Sequence, residues 1–170
     1  MRGLMTRINI LHIITKLELG GAQKNVLSIL ESLDREKYNP FLISGREGIL
    51  VKDALSLKGI EINLIKTLYC QINLFFDFLA IYEIYRYIKK NKISIVHTHS
   101  SKAGILGRWA ARFAGVPIII HTIHGWEFHQ QQNFFSHLLY VSLERITAKI
   151  TTKLVAVSQY DIHTGLKKRI

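Results

Sequence analysis

The feature that most constrains this chain is an alternation: short β-branched apolar runs take turns with longer segments of helical periodicity, a few residues apart. Ile8–Ile14 (INILHII) is nearly continuous in apolar residues, the pattern of a parallel strand covered on both faces. It leads through Thr15–Gly21 into Ala22–Leu33, where Val26, Ile29, Leu30 and Leu33 recur at helical spacing. Tyr38–Ser44 reads as a second strand, Gly48–Lys58 as a helix closed by Gly59, and Ile60–Ile65 as a third strand. A long helix over Asn73–Lys90, a strand over Ile93–Thr98 and a helix over Ser101–Ala114, ended by Gly115 and Pro117, come next. Pro117–Ile123 is a fifth strand, Asn133–Ile150 a helix and Lys153–Val157 a sixth strand, after which Ser158 caps a helix that the chain barely begins. This order predicts an α/β fold, a doubly wound parallel sheet with right-handed crossovers. Ligands of such sheets bind beyond the carboxyl ends of the strands, so the residues after each strand are the ones to read for function.

At 170 residues the chain fits one domain, and 48% hydrophobic content is enough for a core. Its formal net charge of +11 is uneven: residues 91–170 carry 10 Lys/Arg against 3 Asp/Glu, and seven of the eight histidines. Such a half suits a polyanion (nucleotide diphosphate, lipid phosphate, membrane surface or nucleic acid), or it is simply a solvated basic face. A single cysteine, Cys70, excludes an internal disulfide and fits a reducing cytoplasm. The apolar run near the N-terminus stops at Lys16, too short and without the cleavage site of a signal peptide. No stretch reaches the roughly 18 apolar residues of a membrane span. A soluble or peripheral protein is expected.

Three strand ends carry chemistry. After the first strand, Gly20-Gly21 precedes a helix, where backbone can approach a ligand closely and free N–H groups can meet an anion; a plain tight turn is the alternative. The spacing is neither a dinucleotide fingerprint nor a P-loop. After the fourth, His97 and His99 share a strand face, and Ser100, Ser101 and Lys102 open the next helix, a second place suited to phosphate. After the fifth come His121, then His124 and Gly125, an imidazole beside unusual backbone freedom. His97 and His121 read as hydrogen-bonded structural residues. Histidines 97, 99, 121 and 124 converge on adjacent strand ends. With no cysteine among them and Glu127 the one nearby carboxylate, no metal site is expected.

The ordered set Gly-Gly-Ala-Gln, Val-His-Thr-His-Ser-Ser-Lys-Ala-Gly-Ile-Leu-Gly-Arg, Ala-Gly-Val-Pro, His-Thr-Ile-His-Gly-Trp-Glu-Phe and Val-Ala-Val-Ser resembles the N-terminal half of glycosyltransferase family 4 over residues 7–165. The likeness is greatest to members that build bacterial surface polysaccharides on lipid carriers. The resemblance implies one Rossmann-like half of a GT-B architecture, residues 1–170 being the acceptor-side domain without the donor-binding domain. It implies a retaining, hexosyl-type transfer from a nucleotide-diphosphate sugar to a lipid-linked or polysaccharide acceptor, with no cofactor. His124 would be the catalytic contact to the donor sugar; Gly20, Gly21 and Gly125 would face the donor. Ser100, Ser101 and Lys102 would face the acceptor, Lys102 meeting a lipid phosphate. Gln23 stands where many relatives carry Glu, and the E-x7-E glutamate pair of the donor domain is absent, so this half alone is expected to be inactive or very weak.

Leu68–Phe78 (LYCQINLFFDF), followed by Arg86, Lys89 and Lys90, suits an anionic bilayer at the inner face of the cell membrane; the alternative is that Phe75, Phe78, Leu79, Tyr82 and Tyr85 are core. A non-catalytic module binding a phosphorylated glycolipid or nucleotide is the competing function. Nucleic acid is not favoured, because aromatics are not interleaved with Lys/Arg on one strand face.

Overall fold

The computed structural model describes residues 7–69, 71–126 and 134–170, with side chains from residue 137 in the last stretch. Six strands, β1 (Ile8–Ile14), β2 (Tyr38–Gly45), β3 (Glu61–Ile65), β4 (Ile95–His99), β5 (Ile118–Ile123) and β6 (Lys153–Ala156), alternate with six helices. The helices are α1 (Gly21–Ser32), α2 (Val51–Ser56), α3 (Leu74–Lys90), α4 (Ser101–Ala114), α5 (Phe134–Ala148) and α6 (Gln159–Lys167). All strand pairs are parallel and the sheet order is β3-β2-β1-β4-β5-β6. The Rossmann-like doubly wound sheet is as the alternation predicts, and its order reverses between β1 and β4, where such folds open a crevice.

Side-chain alternation sorts the two faces. Leu11, Ile13, Phe41, Ile43 and Val96 pack under α3 and α4 through Ala80, Ile84, Ile88, Ala103 and Ala110. Ile14 and Leu42 face the other way, against Val26 and Leu30 of α1 and Ala54 of α2. Ile123, Trp126 and Val141 form a smaller cluster near β5 and α5. The close seating of α4 has a specific cause: a Cβ at Gly107 would lie 2.8 Å from Thr98 Cγ2 and 2.9 Å from Ile13 Cδ1. Across that helix, buried Arg108 donates to Glu144 Oε2 at 2.6 Å, to Gly104 O at 2.8 Å and to Thr151 Oγ1 at 3.3 Å, pinning α4 to α5.

Several boundaries differ from the sequence reading by one to three residues. The helix expected from Gly48 begins at Val51, because Gly48 (φ +130°) and Leu50 form a turn on the β1 exit, Leu50 N–H donating to Leu17 O at 2.8 Å. The strand expected from Ile93 begins at Ile95, because Ile93 N–H donates to Ile88 O and finishes the α3 exit. The last helix is nine residues long rather than barely begun. Ser158 does cap it, accepting from Asp161 N–H at 3.1 Å. Gly115 ends α4 at φ +75°, as its position suggests. Among the described residues no helix is long and apolar enough to cross a membrane.

Candidate functional site

Strand register assembles a histidine cluster that sequence spacing alone does not reveal. His12 of β1 is the direct partner of His97 in β4, and His99 follows two residues on, so all three rings lie on one sheet face. The His97 and His99 rings stand 4.2 Å apart, and those of His12 and His99 5.4 Å apart and nearly parallel. His124, just past β5, completes the row. His12 Nδ1 lies 3.2 Å from His99 Nε2, and His99 Nδ1 lies 3.2 Å from His124 Nε2. His97 Nε2 is bonded to Thr122 Oγ1 at 2.7 Å. His121 is not part of this group: it falls on the opposite face, where Nδ1 meets Thr98 Oγ1 at 2.9 Å and the ring fills the space left by Gly104. The histidines of β4 and β5 therefore do not all converge, and His12, which nothing in the local sequence marks, takes the fourth place.

Burial sets the electrostatics. Desolvation, helped by the neighbouring His97, pushes His12 down to about 3; desolvation and His124 push His97 down to about 4. His99 and His121 are also held well below the ordinary value, first by burial. His124 is half-buried and lowered by desolvation against an opposing pull from Asp161. The rings are thus neutral near pH 7, the form that hydrogen-bonds in chains and that ligates metals. One nitrogen each of His12, His97 and His99 lie within 4.8 Å of one another, a grouping that could hold a transition ion after small shifts. The expectation of no metal site thus meets a candidate cluster, whose donors among the described residues are all imidazole. Glu127, like Cys70, lies outside the described residues.

The glycines expected to face a ligand occupy two different situations. Gly125 takes φ +112°, a region that disfavours side chains, and no described residue lies within 4 Å of where a Cβ would stand. Gly20 is the extended residue before α1 (φ −156°), and Gly21 opens the helix with no described residue within 4 Å of where a Cβ would stand. Among the described residues no backbone requires glycine at 20 or 21; at Gly20 a Cβ would meet only the flexible end of Gln23.

The second helix start is already engaged. Thr15, not Ser100, caps α4: its Oγ1 accepts from Ala103 N–H at 3.1 Å and lies 2.8 Å from Ser100 Oγ. Ser100 itself is held at φ 62°, ψ 154°, a strained conformation for a residue with a side chain. Lys102 is bound to Asp77 of α3 (Nζ–Oδ1 2.6 Å, both side chains mostly buried), donates to Gln71 O, and lies over the Tyr69 ring at 4.8 Å. Its charge is compensated within the chain. Ser100, Ser101 and Lys102 nevertheless line a groove of about 620 Å³ at the ends of β1 and β4, walled by Leu74 and Phe78 of α3 and Leu139 and Leu143 of α5. It is polar at its strand-end floor and apolar along its helical walls.

Phe75 (68% exposed), Phe78 (70%) and Tyr82 (50%) are surface residues, so the reading of this stretch as core fails for them. Leu79 and Tyr85 are half-buried, Tyr85 packing against the core beneath α3.

Residues 19–165 match the family model described as Glycosyltransferase Family 4. Over 168 residues the chain is 37% identical to an Escherichia coli UDP-Gal:alpha-D-GlcNAc-diphosphoundecaprenol alpha-1,3-galactosyltransferase, covering 99% of this chain and 43% of that protein. It is 33% identical over 118 residues to the Escherichia coli O-antigen biosynthesis glycosyltransferase WbnH, covering 69% and 32% respectively. A glycosyltransferase structure from Rickettsia africae superposes on 96% of this chain and 40% of its own at a TM-score of 0.70 and 22% identity, a likeness of fold. The chain spans less than half the length of these relatives. A match over most of its length to one family model, on a Rossmann-like sheet with its histidines and glycines at the strand ends, places this chain in glycosyltransferase family 4.

Proposed function

We propose that this chain is the acceptor-side half of a retaining glycosyltransferase that moves a hexose from a nucleotide-diphosphate sugar onto a lipid-linked glycan during cell-surface polysaccharide synthesis. The observation that carries the reading is the groove at the β1 and β4 ends. A polar floor of Thr15, Ser100 and Ser101 suits a sugar and its phosphates, and the walls of Leu74, Phe78, Leu139 and Leu143 suit the first isoprene units of a polyprenyl chain. The acceptor named for the 37% identical relative, a GlcNAc-diphosphoundecaprenol, is of that chemistry.

In this reading His124 hydrogen-bonds the donor sugar, and Gly125 keeps space beside it open. That no described residue requires glycine at 20 and 21 supports a role in letting the donor diphosphate approach the N-terminus of α1. The diphosphate is handled by backbone N–H groups and basic side chains, and no resident metal is assigned to the transfer. Departure of the nucleotide diphosphate and the positive charge developing on the sugar require electrostatic stabilisation from both walls of a cleft, so efficient turnover needs a donor-binding domain opposite this one. The chain works at the cytoplasmic membrane face, where the exposed Ile72, Leu74, Phe75 and Phe78 beside the groove reach a lipid-borne acceptor.

The test is sugar-nucleotide turnover with a donor panel and polyprenyl-diphosphate-linked GlcNAc, for the chain alone and joined to a relative's donor domain. Transfer in the joined form, lost on His124→Ala with unchanged melting, is the expected result. Binding of the lipid with no turnover in any pairing would make this a glycolipid-binding module instead.

A further inference from the structure

We infer that His12, His99 and His124 form a relay that fixes the ring proton of His124 on Nδ1, so that His124 meets its ligand as a hydrogen-bond donor, with His12 as the buried positioning residue. The ligand's identity as a donor sugar rests on the function proposed above; the relay itself does not.

The two contacts, His12 Nδ1 to His99 Nε2 and His99 Nδ1 to His124 Nε2, are each 3.2 Å. A neutral imidazole has one N–H and one bare nitrogen, so each contact needs one proton and the three rings must be protonated in the same sense. Only two patterns satisfy both contacts. In the first, His12 and His99 carry their protons on Nδ1 and donate toward His124, whose Nε2 accepts and whose own proton sits on Nδ1. In the second the sense is reversed, and His124 donates inward from Nε2.

The far end of the row decides between them. His12 is fully buried, and among the described residues its Nε2 has no hydrogen-bond partner. The first pattern leaves a bare lone pair there; the second buries an N–H with nothing to donate to. Orphaned buried N–H groups are rarer in native structures than under-satisfied acceptors, because a donor stripped of water loses more than a lone pair that can remain idle. The first pattern therefore wins, and the choice made at His12 passes through His99 to His124. Burial of all three rings, which disfavours the imidazolium form, keeps them in the neutral state the relay requires. His97 stands outside the chain because its Nε2 is bound to Thr122 Oγ1.

His124 is the half-buried member, and its Nε2 is used, so among the described residues Nδ1 is the nitrogen left for a ligand. Carrying the proton, it offers a donor of fixed direction to a hydroxyl or ring oxygen. A ring free to choose its tautomer would have to pay that ordering at each binding event.

The experiment is imidazole 15N NMR on the labelled 170-residue chain near pH 7.5, without sugar. The expected spectrum has Nδ1–H tautomers at His12, His99 and His124; an Nε2–H tautomer, or an even mixture, at His124 overturns the proposal. In His12→Leu the His124 population is expected to move toward Nε2–H, the form histidine favours in water, while an unchanged His124 in the folded variant removes His12 from the role. Should that variant not fold, the wild-type spectrum decides alone. Zinc titrated into the same sample tests the rival use of the cluster: stoichiometric uptake at micromolar zinc, moving His12, His97 and His99 together, overturns the relay in favour of a metal site. Because no sugar is present, these outcomes are independent of whether His124→Ala abolishes transfer.

Discussion

The Thr15 hydroxyl caps α4 in place of Ser100, accepting from Ala103 N–H at 3.1 Å, and so ties the end of β1 to the helix that follows β4. The bond explains how Ser100 can be held at φ 62°: its Oγ accepts from Thr15 N–H at 3.3 Å and meets Thr15 Oγ1 at 2.8 Å. Losing a helix cap costs about 1–2 kcal/mol, so Thr15→Val is expected to lower stability by that amount in urea unfolding. At position 100 the comparison is sharper. Ser100→Ala and Ser100→Gly both lose the hydroxyl, but only glycine relieves the backbone. Ser100→Gly is expected to be the more stable by about 1 kcal/mol, and equal midpoints would show that the backbone there is unstrained.

How much of this was legible beforehand follows from which signals are local. Strand–helix alternation, the Gly115 stop and the Ser158 cap depend on neighbours in sequence, and the periodicity of 2 put His97 and His99 on one face. His12 was invisible in that sense. It lies in an apolar run 85 residues before its strand partner His97, and only the β1–β4 register joins them. The same limit explains Lys102. Its spacing at a helix start suggested a phosphate ligand, but Asp77 comes from the start of α3, across the groove. The capping of α4 by Thr15 is likewise a contact between distant segments. Local patterns gave the scaffold and the strand ends; pairings across the sheet switch point gave the site its electrostatics.

The Arg108–Glu144 pair provides a test of the α4–α5 contact. Both side chains are buried at a 2.6 Å separation, so removing one leaves the other's charge out of water. Glu144→Leu is expected to cost about 3–5 kcal/mol by denaturant midpoint. The double variant Arg108→Met/Glu144→Leu is expected to recover most of that loss. A double variant no better than the single one would show that the guanidinium bonds to Gly104 O and Thr151 Oγ1 matter more than the ion pair.

Neutral buried histidines make stability fall with acid. In the unfolded chain histidine titrates near 6.5, whereas in the native fold His12 waits until about 3 and His97 until about 4. Between those values the unfolded state binds protons that the folded state refuses, so stability declines as pH drops below about 6.5, by roughly 1.4 kcal/mol per pH unit for each such histidine. The loss stops growing for His97 near pH 4 and for His12 near pH 3. Melting temperatures between pH 7.5 and 5 are expected to fall steeply, and His12→Leu to flatten the slope by about one proton. A wild-type curve level from pH 7.5 to 5 would mean the cluster is solvated or charged in the native protein.

The membrane contact proposed for this chain would rest on the start of α3, and a test can separate it from the proposed acceptor binding. Leu74 (83% exposed) and Phe75 (68%) project beside the groove, while Lys89 and Lys90 lie exposed at the far end of the same helix. Leu74 also lines the groove but Phe75 does not, so Phe75 is the residue whose loss reports on the bilayer alone. Each buried aromatic contributes about 1.5–3 kcal/mol, enough to move a weak partition coefficient by tenfold or more. Phe75→Ser is therefore expected to reduce co-sedimentation with phosphatidylglycerol vesicles about tenfold with melting unchanged. Added salt should weaken binding as well, because the exposed lysines act through a screened field. Vesicle binding that responds to salt but not to Phe75→Ser would leave only an electrostatic attraction, and would remove insertion of this helix from the account.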